Sequence, residues 1–208
     1  MDEKYYEQNG NRFMRIITIF LITFVAIVVI GIFAIVGTLI STYNNLVDLQ
    51  ENVEYSEANV EAIMQRRLEL IPDLVSTVKA YTEHEEQVFE DITNAREALA
   101  QSFNTGDLEQ ISEANDSLTT AVNRLISIVE DNPELTASEQ YTSLMDQIEG
   151  SVNRISIARE TYNEEVSEYN RTIRHFPGSI LAEIYGFEEI ETFKADESAS
   201  STNLVDFG

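Results

Sequence analysis

The spacing of apolar and polar positions divides the chain into an uncharged N-terminal stretch and a longer region with a helical pattern. Residues 16–40 carry no charged side chain and are dominated by Ile, Val, Phe and Leu. A helix over this range would extend roughly 37 Å, which is enough to cross a hydrocarbon core of about 30 Å. A cleaved signal peptide would have a shorter apolar region followed by a small-residue cleavage site. The pattern therefore predicts a transmembrane helix over residues 16–40, preceded by a short segment of residues 1–15.

Behind this stretch, apolar residues recur at helical spacing. The first stripe begins near Tyr43 and continues the membrane helix. We predict that this helix ends at Pro72, because the residue before a proline avoids the α region. A kink at Pro72 within a continuing helix is the alternative. A second stripe then runs over residues 74–99.

Turn and capping signals predict two further helices. Asn104-Thr105-Gly106 interrupts the pattern, and Asp107 is a suitable cap for a third helix with apolar positions from 108 to 129. Asn132-Pro133 interrupts it again. Thr136, with Glu139 three residues later, predicts a capping box for a fourth helix.

The fourth helix has the most regular pattern and is predicted to end at Phe176-Pro177-Gly178. A short amphipathic piece over residues 180–187 follows it. Two interleaved heptad series indicate a seam that packs against partner helices. The first series is Ile148, Ile155, Tyr162, Tyr169 and Phe176, and the second is Met145, Val152, Arg159, Val166 and Ile173.

Four helices separated by short breaks predict an all-α fold, in which the single N-terminal transmembrane helix continues into an antiparallel four-helix bundle over residues 41–194. Residues 195–208 are rich in serine and acidic side chains, so we predict a disordered tail.

The charge of the chain is concentrated outside the membrane helix. The net charge is −24, and residues 41–208 contain 34 acidic and 10 basic side chains, whereas residues 1–40 contain three of each. Such a surface repels phosphates and anionic headgroups, so we expect no nucleic-acid partner and no flat docking of the domain on a bilayer.

Basic residues near the membrane helix predict its direction. Lys4, Arg12 and Arg15 precede the helix, and Arg66 is the first basic residue after it. The positive-inside rule then places the N-terminus in the cytoplasm and the C-terminal domain outside, on a single-pass protein of the cell membrane.

No catalytic or metal-binding constellation emerges from the sequence. His84-Glu85 begins like the H-E-x-x-H motif of zinc proteases, but position 88 is valine. The only other histidine is His175, so a zinc site would depend on carboxylates. We therefore expect no enzyme, no cofactor and no metal site.

Several side chains in the fourth helix are candidates for structural or interaction roles. Arg159 lies within an apolar heptad series, so it requires a carboxylate or carbonyl partner if buried, and the alternative is a guanidinium that reaches the edge of the bundle. Tyr162-Asn163 and Tyr169-Asn170 repeat at a spacing of seven. The tyrosines are expected to pack with their hydroxyl groups bonded, and the asparagines to set helix register.

The end of the tail carries an apolar cluster that includes Val205 and Phe207. Both side chains would point the same way on a strand and could enter pockets of a partner by strand addition. The alternative is that the cluster folds back onto the domain's own apolar end, near Phe187 and Phe193.

These motifs together resemble the LemA family. The segment of residues 65–75, which contains Arg66, Arg67 and Pro72, is similar to the family's first signature, and the resemblance extends over nearly all of residues 43–193. Further matches are Asn153-Arg154-Ile155, Ala158-Arg159, Tyr162-Asn163, Tyr169-Asn170, Phe176-Pro177, Gly186-Phe187 and Phe193. The resemblance implies an anchored helical bundle of a bacterial or archaeal cell membrane, and association with membrane metalloproteases or small envelope proteins.

We accordingly expect a membrane-anchored, non-enzymatic helical scaffold or interaction protein of the cell envelope. It would contact lipid through its anchor, and assemble with copies of itself or present itself to another envelope protein. A regulatory adaptor of a membrane metalloprotease is the alternative function.

Overall fold

The computed structural model describes residues 3–82, 85–130 and 132–194. Every regular element in these ranges is a helix, which confirms the all-α class, whereas the antiparallel four-helix bundle remains a prediction. The predictions for His84 and for the tail with Val205 and Phe207 lie outside the described residues. The elements are α1 (Glu3–Lys79), α2 (Glu86–Ser102), α3 (Leu108–Glu130), α4 (Pro133–Thr136), α5 (Glu139–Arg174) and α6 (Gly178–Tyr185).

The chain divides into two compact units. The first unit contains the N-terminal part of α1, up to Asp48, together with Thr172–Glu188. The second unit contains Leu49–Arg171 and resumes at Glu189. Helices α1 and α5 each contribute residues to both units.

The apolar part of α1 has the properties of a membrane anchor. Among the described residues, α1 is the one helix that is long and apolar enough to cross a membrane, and its most apolar window is not buried within the protein. Side chains such as Phe20, Phe24 and Phe33 are exposed. The anchor predicted over residues 16–40 therefore lies within a helix of the required length and composition.

The predicted helix end at Pro72 is wrong, because α1 continues through Pro72 to Lys79. A proline inside a helix has no N–H to donate to the carbonyl four residues earlier, which here belongs to Leu68. Arg96 of α2 fills this vacancy, since its Nε donates a hydrogen bond to the Leu68 carbonyl oxygen at 3.1 Å. Tertiary packing thus supplies the hydrogen bond that the proline removes, and the helix ends at Lys79.

We expect Arg96→Ala to lower the free energy of unfolding by about 1–3 kcal/mol, the usual cost of an unsatisfied buried polar group. In a Pro72→Ala background the same substitution should cost less, because the new N–H of residue 72 can bond Leu68. Chemical denaturation of the full chain in detergent measures the four variants of this cycle.

The control for this cycle is Arg124→Ala, which removes an exposed salt bridge of 3.2 Å to Asp91 between α3 and α2. Its cost should be the same with proline or alanine at position 72. Equal costs of Arg96→Ala in both backgrounds would contradict the assignment of Arg96 to the carbonyl freed by Pro72.

The turn signals around α3 are confirmed in part. Asp107 caps α3, since its Oδ1 accepts hydrogen bonds from the backbone N–H groups of Glu109 at 2.9 Å and Gln110 at 3.2 Å. Gly106 precedes it with a φ of 65°, in the left-handed region that favours glycine.

The predicted capping box at Thr136 is wrong. Asn132 instead caps a short helix, α4, by accepting a hydrogen bond from the N–H of Leu135 at 3.3 Å. Thr136 is the last residue of α4, and its hydroxyl donates to the Pro133 carbonyl at 3.1 Å. The hydroxyl is therefore directed back into α4 rather than toward the start of α5.

The heptad series of α5 matches the burial of most of its members, and two members differ. Val152 is 40% exposed and Phe176 is 81% exposed. Phe176 differs because α5 ends at Arg174, so heptad geometry no longer applies two residues later. The buried members are Met145, Ile148, Ile155, Arg159, Tyr162, Val166, Tyr169 and Ile173.

Candidate functional site: an asparagine clamp and a buried arginine network

Two asparagines of α5 hold an extended C-terminal segment by its backbone. The side chain of Asn163 donates to the carbonyl of Phe193 and accepts from its N–H, both at 2.9 Å. Asn170 makes the same pair of bonds with Ile190, at 2.8 and 3.0 Å. We call these four residues the asparagine clamp. Each amide behaves as a peptide group of a neighbouring strand would, although α5 is a helix.

The spacing of the clamp follows from the geometry of the two backbones. Asn163 and Asn170 lie seven residues apart, which is about 10.5 Å along a helix axis. Ile190 and Phe193 lie three residues apart, which is about 10 Å in an extended chain. The two distances agree, and the later asparagine binds the earlier residue, so the segment runs antiparallel to α5.

Tyr162 adds a third backbone contact to this segment. It is almost fully buried, and its hydroxyl donates a hydrogen bond to the carbonyl of Glu191 at 3.0 Å. Burial raises the pKa of Tyr162 to about 12, and the negative charges of Glu57 and Glu191 act in the same direction. The neutral hydroxyl is thus favoured in the folded protein, and its contribution to stability is lost as the pH rises from about 10 through 12.

Phe193 is the apolar anchor of the segment. Its side chain is buried, its ring packs edge-on against Tyr162 with a centroid separation of 5.2 Å, and the guanidinium carbon of Arg159 lies 5.2 Å from its centroid. A cation over an aromatic face is attracted by the ring quadrupole. Lys194, the next residue, forms an ion pair with Glu109 of α3.

A second polar cluster lies inside the second unit around Arg67 of α1. Arg67 is 1% exposed, and its Nη1 donates hydrogen bonds to the side-chain oxygens of Asn115 and Thr119 on α3, both at 3.0 Å. The amide nitrogen of Asn115 donates in turn to the carboxylate of Asp116 at 3.3 Å. We call these four residues the buried arginine network.

Burial of the positively charged Arg67 side chain is energetically unfavourable. The pKa of Arg67 is lowered to about 10, chiefly by desolvation, while the negative charge of Asp116 raises it and the positive charge of Arg159 lowers it. The guanidinium therefore remains charged at neutral pH within the packed interior. A buried charge of this kind is retained only where hydrogen bonds and a nearby opposite charge compensate its desolvation.

The structure brings some of the candidate residues together and leaves others apart. Arg159, Tyr162 and Asn163 all contact Phe193. Arg66, beside the buried Arg67, is exposed and pairs with Glu69 at 2.9 Å. Arg159 is 8% exposed, and the carboxylate or carbonyl partner expected for it remains a prediction. Tyr169 is buried, seven residues after Tyr162. Pro72 lies within α1.

Sequence reasoning missed the partners of these side chains. Asn115, Thr119 and Arg96 lie on helix positions that a polar surface residue could equally occupy, so their types alone carried no signal. The match of Phe193 to the ending of the family pattern was the one indication that the last extended segment has a defined place.

The described part of the chain contains no group of three or more His, Asp or Glu side chains that could hold a metal ion.

Comparison with known proteins agrees with the motifs. The LemA family model matches residues 56–207. Similar curated proteins are "Magnetosome protein MamQ 2" and "Magnetosome protein MamQ 1" of Paramagnetospirillum magneticum, each 26% identical over 200 residues, which is 85% of this chain and 73% of the relative. "Magnetosome protein MamQ" of Magnetospirillum gryphiswaldense is 26% identical over 203 residues, which is 86% of this chain and 74% of the relative. Because the family match covers most of the chain, this protein belongs to the LemA family.

Proposed function

We propose that this protein is a membrane-anchored, non-enzymatic scaffold of the cell envelope, which assembles with copies of itself through its helical domain. The proposal rests on how its specialised side chains are used. Asn163, Asn170, Tyr162 and Arg96 each bond a backbone group of the same chain. These bonds hold the domain in one conformation, which supports a role as a rigid surface for assembly.

The similarity to proteins named for the magnetosome supports a membrane role of this kind. The exposed apolar helix over residues 16–40 would provide the attachment by crossing the bilayer. In this arrangement the lipid bilayer is the first partner, and a second copy of the chain is the next.

Light scattering during size exclusion of the full chain in detergent tests self-assembly. The net charge of −24 opposes association of the copies, so the oligomer should be larger and more homogeneous at high salt, where repulsion is screened. A monomer at every salt concentration would overturn the proposal. Co-purification of that monomer with a membrane metalloprotease would favour the adaptor function instead.

We propose further that the domain lies outside the cytoplasm, since the basic residues beside the anchor precede it. The chain contains no cysteine, so Asn104→Cys introduces one thiol in the exposed turn between α2 and α3. This thiol should react with a membrane-impermeant maleimide in intact cells.

Asn104 is preferred to the neighbouring Thr105, because the hydroxyl of Thr105 accepts a hydrogen bond from the N–H of Asp107. Ile27→Cys in the anchor is the matched control and should stay unlabelled. Labelling of Asn104→Cys only after lysis would reverse the proposed orientation.

A further inference from the structure

The segment Phe176–Phe187, which contains α6, differs in character from the rest of the domain. It carries one charged residue, Glu183, whereas residues 41–208 contain 34 acidic side chains. The repulsion that disfavours docking of the acidic domain on a bilayer is therefore weakest in this segment.

One face of α6 is buried. Gly178, Leu181 and Ala182 are buried. A Cβ added to Gly178 would lie 2.1 Å from the carbonyl oxygen of Thr172, so the helix begins in direct contact with the backbone before it. Gly186 ends the helix with a φ of 77°, in the left-handed region. The position of α6 is thus fixed by close backbone contacts.

The other face of α6 is apolar and uncovered. Ile180 is 45% exposed and Ile184 is 66% exposed, and residues four apart share one face of a helix. Phe176, two residues before α6, is 81% exposed, and Tyr185, the last residue of α6, is 61% exposed. We call these four residues the α6 apolar face. Several large apolar side chains exposed within twelve residues of the sequence indicate a contact with a partner or a membrane.

The same unit places α6 beside the point where the anchor ends. The ring of Tyr43 on α1 lies 4.8 Å from the ring of Tyr185 and 6.0 Å from that of Phe187, measured between centroids. Tyr43 follows Ile40, the last residue of the predicted anchor, by about 4.5 Å of helix rise. In a bilayer crossed by residues 16–40, these aromatic rings would lie close to the interface, which is where tyrosine is enriched in membrane proteins.

We propose that the α6 apolar face inserts into the interfacial layer of the same bilayer that the anchor crosses. The inference rests on the proposed membrane-spanning role of residues 16–40. The α6 apolar face would contact the acyl and glycerol region of lipids with neutral or zwitterionic headgroups, because Glu183 and the acidic domain disfavour an anionic surface. The contact makes α6 a second attachment to the membrane, continuous with the first.

Single-tryptophan fluorescence tests this contact, because the chain contains no tryptophan. Ile184→Trp and, separately, Phe176→Trp are placed in the full chain in phosphatidylcholine nanodiscs. Lipids with a spin label near the headgroup should quench both tryptophans several-fold more strongly than lipids labelled near the chain end.

Two matched variants serve as controls. Ile157→Trp replaces an exposed isoleucine of α5 in the second unit, and it should not be quenched by either lipid. Ile27→Trp replaces an exposed isoleucine of the anchor, and the deep label should quench it more than the shallow one.

Quenching of Ile184→Trp no stronger than that of Ile157→Trp would overturn the inference. Blue-shifted emission of Ile184→Trp without lipid quenching would also overturn it, since protein would then cover the face. If Ile27→Trp remains quenched in either case, the anchor stands and only the role of α6 fails. Absence of quenching in Ile27→Trp would refute the membrane-spanning role itself.

Discussion

The double substitution Asn163→Ala, Asn170→Ala is expected to lower the free energy of unfolding by about 4 kcal/mol. Four hydrogen bonds between the asparagine clamp and the backbone are lost, each worth about 1 kcal/mol in stability. Each single substitution removes two of the four bonds and should cost about half as much. Denaturation of the full chain in detergent measures these differences.

Release of the extended segment gives a second readout that a general loss of stability would not produce. Lys194 is the last basic residue of the chain, so trypsin cleavage after it removes only residues 195–208. Below the unfolding transition, the double variant should be cut there many times faster than the unaltered protein, because the asparagine side chains no longer hold the backbone of Ile190 and Phe193 in place.

Asn153→Ala is the matched control, since Asn153 is an exposed asparagine of the same helix. It should change stability by no more than about 0.5 kcal/mol, the usual range for surface positions. Equal cleavage rates after Lys194 in the double variant and in Asn153→Ala would show that the clamp does not hold the segment in solution.

Arg67→Ala is expected to lower the free energy of unfolding by about 3–5 kcal/mol, because the charged Arg67 side chain is buried. Truncation of a large buried side chain costs about 2–5 kcal/mol through the cavity it leaves. The buried Asn115 also loses the donor to its side-chain oxygen. Thermal and chemical unfolding of the full chain in detergent measure the loss.

The neighbouring residue provides the control. Arg66→Ala removes an exposed side chain and a surface ion pair with Glu69, which is worth about 0–1 kcal/mol. A loss for Arg67→Ala that is no larger than that for Arg66→Ala would contradict the burial of Arg67. Arg67→Met separates packing from hydrogen bonding, because it fills most of the cavity but still leaves the Asn115 oxygen without its donor, so it should recover only the part of the stability that the cavity costs.

The sequence predicted the helical class, the anchor and most breaks, because these depend on local patterns. Asp107 at a cap and the apolar spacing of α5 act within a few residues of themselves. The C-terminal end of α1 was predicted wrongly, because it depends on a residue that is distant in the sequence. A proline normally ends a helix, and here the donor that compensates for Pro72 comes from Arg96, which only tertiary packing brings near.

Tyr162, Asn163 and Asn170 were predicted as candidates from the sequence, but their binding to the backbone of the C-terminal segment was not predicted. The seven-residue repeat of Tyr162-Asn163 and Tyr169-Asn170 indicated a shared face, and core register was the available interpretation. The clamp depends on Ile190 and Phe193, which belong to an extended segment without periodicity. A helix pattern contains no information about a partner that is not a helix.

The asparagine clamp has a consequence for how this part of the sequence can drift during evolution. Its four hydrogen bonds involve only backbone groups of the segment. They therefore do not restrict the side chain of Thr192, which is exposed. Proline is the exception at positions 190 and 193, because it has no N–H to offer the asparagine oxygen. Most side chains of this segment can therefore change while the asparagine pair and the buried ring of Phe193 preserve its path.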